Sequence, residues 1–198
     1  MFQHNIYGLF SMPTLETPRL ILRRITMKDA PAVFEYSRDE EVARHVLWTA
    51  QRHISEAKDY CRYMMRRYKA DEPSSWGIIL KETNTLVGTI GFMSYSEDNN
   101  SVEVGYSLAR PLWNGGYMTE ALSRVIDYAF DAMEINRIEA QHELSNPASG
   151  RVMEKCGMTR EGVLRQRLFN KGQYVDVALY AILRSDPRPG KKKAGRVY

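Results

Sequence analysis

VEVGYSLARPLWNGGYMTEALSRVIDYAFD, residues 102–131, is the stretch that decides the fold. Its first part alternates: Val102, Val104, Tyr106 and Leu108 point one way, and Glu103, Gly105, Ser107 and Ala109 the other, which is the period of a strand. Arg110-Pro111 breaks that pattern, and Leu112-Trp113-Asn114-Gly115-Gly116 reads as a loop. Met118, Ala121, Leu122, Val125, Ile126, Ala129, Phe130 and Met133 then recur at three- and four-residue spacing and make the apolar stripe of a helix. A helix N-terminus carries free N–H groups and roughly half a positive charge, and glycines before it let the main chain close on a bulky anion. The order strand, glycine-bearing loop, helix therefore reads as a phosphate cradle. On spacing alone a tight strand-to-helix connection accounts for it equally well. The stretch has neither the GxxxxGK[ST] nor the GxGxxG pattern.

At 198 residues the chain is long enough for one domain with a full core. No run approaches membrane-spanning length, and MFQHNIYGLFSM lacks the charge and cleavage pattern of a signal peptide. Cys61 and Cys156 make no metal spacing and are expected as small buried residues in a reducing cytoplasm. The net charge is +4, yet Arg188, Lys191, Lys192, Lys193 and Arg196 crowd into the end of the chain, leaving −1 for the rest. The basic character thus belongs to the tail PRPGKKKAGRVY, expected as a disordered appendage that is either inert or in contact with RNA on a ribosome. The division that follows is an N-terminal extension over 1–14, a domain over 15–185 and a basic tail over 186–198.

Along the domain, RLILRRI (19–25) reads as a first strand. Thr26 and Asp29 are candidate caps for a short helix with Ala30, Val33 and Phe34 inward. Ile54, Ala57, Cys61, Met64, Met65 and Tyr68 form the inner stripe of a second helix. Between the helices, HVLWTAQRH carries His45 and His53, for which no partner is visible, and Trp48, expected on a loop lining an acceptor site. Residues 76–80 and 86–92 pair through Glu82-Thr83-Asn84, and Asp98-Asn99-Asn100 turns the chain into the Val102 strand. Residues 136–143 alternate again, so a helix between two strands favours a parallel crossover. Asn146, Pro147 and Gly157 bound another helix, and Asn170-Lys171-Gly172 turns the last hairpin.

WNGGYMTEAL placed after EVGYSL resembles the acyl-CoA pyrophosphate loop of the GNAT superfamily of N-acetyltransferases, most closely its RimJ/RimL-type branch, which acetylates ribosomal protein N-termini. Gly116 fits the central glycine of the family's loop; Trp113 stands where a Gln or Arg is usual, and Met118 where a second small residue is usual. ETPRLILR, NPASGRVMEKCGM and EGVLRQ…VDVALYAIL follow the family's order and spacing as well. The resemblance implies an α/β (α+β) fold, a mixed central sheet of about seven strands flanked by about four helices. It implies acetyl-CoA as co-substrate, with no metal. The pantetheine arm would lie along main-chain groups of Tyr106, Ser107 and Leu108, where the Val102 strand splays from its neighbour. The pyrophosphate would lie on Trp113, Asn114, Gly115, Gly116, Tyr117, Met118 and Thr119, with Asn146 reaching the pantetheine. Glu103, where the family has an acidic residue, would be the catalytic base; the bland alternative is a surface glutamate. Ser149 would neighbour the thiol, and Met153 occupies the place where many relatives have a tyrosine. The expected reaction is direct acetyl transfer to a protein N-terminal amine. Transfer to a small amine or antibiotic, or a non-catalytic acyl-CoA-binding module with an RNA-contacting tail, are the other readings. No membrane contact is expected, and the exposed strand edges suit a monomer or a homodimer.

Overall fold

The structure, a computed structural model, describes residues 8–190. Eight strands form one sheet in the order β1-β2-β3-β4-β5-β6-β8-β7. They are β1 (Leu15–Glu16), β2 (Leu20–Arg24), β3 (Ser75–Leu80), β4 (Thr85–Ser96), β5 (Ser101–Leu108), β6 (Arg137–Glu143), β7 (Thr159–Asn170) and β8 (Gln173–Leu183). The helices are α1 (Ala30–Ser37), α2 (Glu40–Ala43), α3 (Ile54–Lys69), α4 (Tyr117–Asp131) and α5 (Pro147–Lys155). Compared with the sequence reading, the additions are β1, two residues long, and α2, a single turn started by an Asp39 side chain that accepts from the Glu41 N–H. Both are too short to display a period.

Neighbouring strands are antiparallel except β5 and β6, which run parallel across the α4 crossover. The tight turns follow from residues that tolerate left-handed backbone. Asn84 and Asn100 have φ of 52° and 45°, and Lys171-Gly172 has φ of 47° and 84°, the two positive values that a two-residue hairpin turn needs. Adjacent residues of β5 show how the helices divide. The Tyr106 hydroxyl meets Ser149 in α5, while the Ser107 hydroxyl meets Thr89 on the α1 side. So α5, with α4 packed against it, covers one face, and α1 with α3 covers the other.

The core centres on Trp76, wholly buried, with the rings of Phe92 and Tyr128 edge-on at 5.6 and 5.7 Å. Its indole N–H donates to the Pro13 carbonyl at 2.7 Å. That bond ties the described part of the N-terminal segment to the core. Phe10 and Met12 are buried, and Phe10 packs edge-on to Phe92 and Tyr95 at 5.8 and 5.5 Å. Two apolar residues without a repeat gave no pattern to read. At the other end, Arg188 lies against α4, paired with Asp127 at 2.8 Å and Asp131 at 3.0 Å. The remaining cations expected in the tail, Lys191, Lys192, Lys193 and Arg196, lie outside the described residues. Met12→Ala removes a buried side chain and is expected to cost about 2–4 kcal/mol, read as a lower urea midpoint with an unchanged slope.

Candidate active site

The parallel ladder between β5 and β6 is short. It joins Ser101 to Arg137, Val102 to Ile138 and Glu103 to Glu139, and stops. Beyond it β5 stays paired with β4 as far as Leu108, and β6 stays paired with β8 as far as Glu143. The two strands therefore diverge as a V whose inner edges carry main-chain groups facing an opening. A sheet interior does not leave such groups unmatched without a reason. The V opens toward the loop before α4. There Asn114 and Gly116 both have left-handed backbone, φ 62° and 76°, and Gly116 is the helix N-cap. Having no side chain, it caps nothing, so the N–H groups of the first turn of α4 are left for another acceptor. At Gly115 a Cβ would sit 2.8 Å from the Tyr117 ring, which folds back over it. The Trp113 indole donates to the Leu108 carbonyl at 2.8 Å and ties the loop to the end of β5.

Side chains gather on both sides of the V. On the α5 side the Tyr106 hydroxyl lies 3.0 Å from Ser149 Oγ and donates to the Ser149 carbonyl at 3.2 Å. Burial pushes the Tyr106 phenol well above its usual range. Asn146 heads α5 without a side-chain cap bond, so its amide is not spent on the helix. On the α1 side Glu103 Oε1 accepts from the Gln141 amide at 2.8 Å. Farther along that face lies the buried Ser107–Thr89 pair, 3.2 Å apart, beside the Tyr36 hydroxyl. At the mouth, His45 Nδ1 lies 3.0 Å from Glu143 Oε2, which also accepts from Ser145 at 3.2 Å. Asn170 donates to the other oxygen of Glu143. Lys171, at the β7–β8 turn, donates to the carbonyls of Val46 and Trp48 at 2.6 and 3.4 Å.

This strand–loop–helix arrangement has relatives. Residues 19–159 match the family model described as an acetyltransferase (GNAT) domain, which is well over half of the chain. The chain belongs to the GNAT family of N-acetyltransferases. It is 36% identical over 172 residues to the N-acetyltransferase YoaA of Bacillus subtilis (strain 168), covering 87% of this chain and 97% of the relative. The crystal structure of a GNAT-family acetyltransferase from Bacillus anthracis superposes with a TM-score of 0.79 at 29% identity, covering 88% of this chain and 100% of that one. A more distant relative, 25% identical over 185 residues, is the [ribosomal protein uS5]-alanine N-acetyltransferase of Escherichia coli (strain K12), with 89% of this chain and 94% of that one covered.

Within this GNAT domain the residues singled out from sequence form two groups. Tyr106, Ser107 and Leu108 lie on β5 beyond the ladder, Trp113, Asn114, Gly115 and Gly116 in the loop before α4, Tyr117, Met118 and Thr119 in the first turn of α4, and Asn146 and Ser149 at the start of α5. Glu103 stands at the closed end of the V, on the face opposite Ser149. The Leu108 carbonyl is already taken by Trp113, and the Ser107 side chain is turned into the buried Thr89 pair. Met153 and Cys156 are buried in the core. The Cys156 thiol is pushed up to about 11 by burial, far from the range of a nucleophile. Among the described residues no group of His, Cys, Asp and Glu is set to hold a metal, and no helix is long and apolar enough to cross a membrane.

The partner of His45 was invisible from sequence because Glu143 is 98 residues away. Burial alone would raise the Glu143 carboxyl. The hydrogen bonds from Asn170, His45 and Ser145 outweigh it and hold the group below its ordinary value of 4.5. A carboxyl depressed in the folded state stabilises above its unfolded pKa and loses that contribution as pH falls through the folded one. Glu143→Gln is therefore expected to lower stability at pH 7 by about 2 kcal/mol, since hydrogen bonds to a charged group are the strong ones. Thermal melts of the two proteins should converge only as the pH falls below the ordinary carboxylate range, through the depressed pKa of Glu143.

Proposed function

We propose that this N-acetyltransferase uses acetyl-CoA as donor and transfers the acetyl group directly to a protein N-terminal α-amine, of the ribosomal-protein type. The observation that carries the donor is the V between β5 and β6, ending at an uncapped helix behind Gly116. A diphosphate suits the free N–H groups of Tyr117, Met118 and Thr119, and an extended amide-bearing arm suits the edge of β5, as an added strand would. The Asn146 amide, unused as a cap, would meet that arm. The acceptor class is supported by the likeness to an enzyme named for acetylating an alanine of ribosomal protein uS5.

In this reading the acceptor enters on the α1 face. Glu103, oriented by Gln141, takes the proton of the incoming ammonium. The amine nitrogen bonds to the acetyl carbon, and a β5 N–H steadies the negative oxygen that forms. Losing such a donor costs about 3 kcal/mol in barrier. The carbon–sulfur bond then breaks on the opposite face, and the second proton of the former ammonium, shed as the amide forms, is relayed through the Ser149 hydroxyl, aligned by Tyr106, to the departing thiolate. The V is what allows one substrate to meet groups on both faces of a sheet.

Incubation with labelled acetyl-CoA and a panel of ribosomal proteins, followed by mass spectrometry of their N-termini, is expected to show acetylation there; label only on small amines would reject this acceptor. Glu103→Gln should lower turnover about 10²–10⁴-fold at neutral pH, with the deficit shrinking at high pH where the amine is already neutral. Ser149→Ala should lower kcat while leaving the affinity for coenzyme A unchanged.

A further inference from the structure

One residue outside the V reaches the α4 loop from the far edge of the domain. Arg19 lies just ahead of β2, and its Nε donates to Glu120 Oε2 at 2.7 Å. Its own backbone N–H and the Thr17 hydroxyl both donate to the other oxygen, at 2.9 and 2.6 Å. Its Nη1 donates to the Gly115 carbonyl at 3.0 Å, and its Cζ lies 4.0 Å from the centre of the Tyr117 ring. Nη2 lies 3.6 Å from the point where a Cβ on Gly116 would be. One guanidinium thus grips the loop carbonyl, the ring after it and a carboxylate in the first turn of α4. Only a planar fork does this; an ammonium makes one such contact well.

The bond to Gly115 sets the direction of a dipole. In a trans peptide the C=O and the next N–H point opposite ways. Turning the Gly115 carbonyl onto Arg19 therefore turns the Gly116 N–H away from Arg19. Without the grip, that peptide is free to flip, because glycine accepts both arrangements, and a flipped carbonyl would face an incoming phosphate. Glu120 explains why Arg19 stays in place. Its carboxyl is only 17% exposed, and the bonds from Thr17 and Arg19 overcome the effect of burial and keep it ionised.

We propose that Arg19 and Glu120 form a clasp that fixes the Gly115–Gly116 peptide in the orientation that receives the diphosphate, so that Arg19 is a positioning residue and Glu120 is its anchor. This rests on the acetyl-CoA reading above. The clasp makes a prediction opposite to that of simple charge. Glu120 is an anion close to the diphosphate site, so if only charge mattered, removing it would tighten binding. If it anchors the clasp, removing it loosens binding.

The test is calorimetric titration of coenzyme A into the full chain, with thermal melts of the unliganded proteins to confirm that each variant is folded. Arg19→Ala and Glu120→Gln are each expected to weaken binding about tenfold, the factor that about 1.4 kcal/mol represents. The double variant should be no weaker than the poorer single one, because both changes open the same clasp. Arg19→Lys should fail to restore affinity. Unchanged or tighter binding by folded Glu120→Gln would overturn the clasp, and so would strictly additive losses. Wild-type protein that does not bind coenzyme A would instead overturn the donor reading itself.

Discussion

The molecule depends on a ladder that stops early. After Glu103 and Glu139 the chain declines hydrogen bonds that two neighbouring parallel strands would ordinarily make, and it does so in the middle of an eight-stranded sheet. Each strand is held straight by its other neighbour, β5 by β4 and β6 by β8. The cost of the opening is therefore confined to the inner edges. The candidate site lies along those edges and at the two helix N-termini beside them. A fold that closed this gap would keep its core and lose that opening.

The same gap resolves an apparent conflict of geometry. Glu103 and Ser149 belong to opposite faces of the sheet, separated by the pleat of β5, and an intact sheet would keep the two proposed proton-transfer groups apart. Separation through an opening has an advantage for acyl transfer. In the proposed mechanism, the group that would accept the amine proton and the group that would serve the leaving sulfur do not compete for the same hydrogen bond. Gln141 on one side and Tyr106 on the other each orient one of them.

Much of this architecture was legible in the amino-acid order. The change from a two-residue to a helical period after Pro111, the asparagine and glycine turns, and the Asn-Pro…Gly bounds of α5 are local signals, and each fell where the element lies. Tyr106 and Ser149 were both marked, but not that their hydroxyls meet across 43 residues. What stayed hidden was pairing at long range. Arg19 and Glu120 are 101 residues apart, and no periodicity links them. Phe10 and Met12 have their meaning only once Trp76 donates to Pro13. Turn chemistry and amphipathic spacing concern neighbours in sequence, whereas a carboxylate's partners are set by where the sheet brings them.

The corner around Glu143 joins three segments that lie far apart in the sequence. The loop that carries His45, Val46 and Trp48, the end of β6 and the β7–β8 turn are knotted together by Glu143, Asn170 and Lys171. If this wall selects the acceptor, its pieces are heritable only as a set. A graft of the His45 loop from another enzyme, made without the matching turn, would strand an ammonium and a buried carboxylate at once. Specificity in this domain would then diversify by exchange of three distant segments together, and single-loop chimeras would sample mostly damaged proteins.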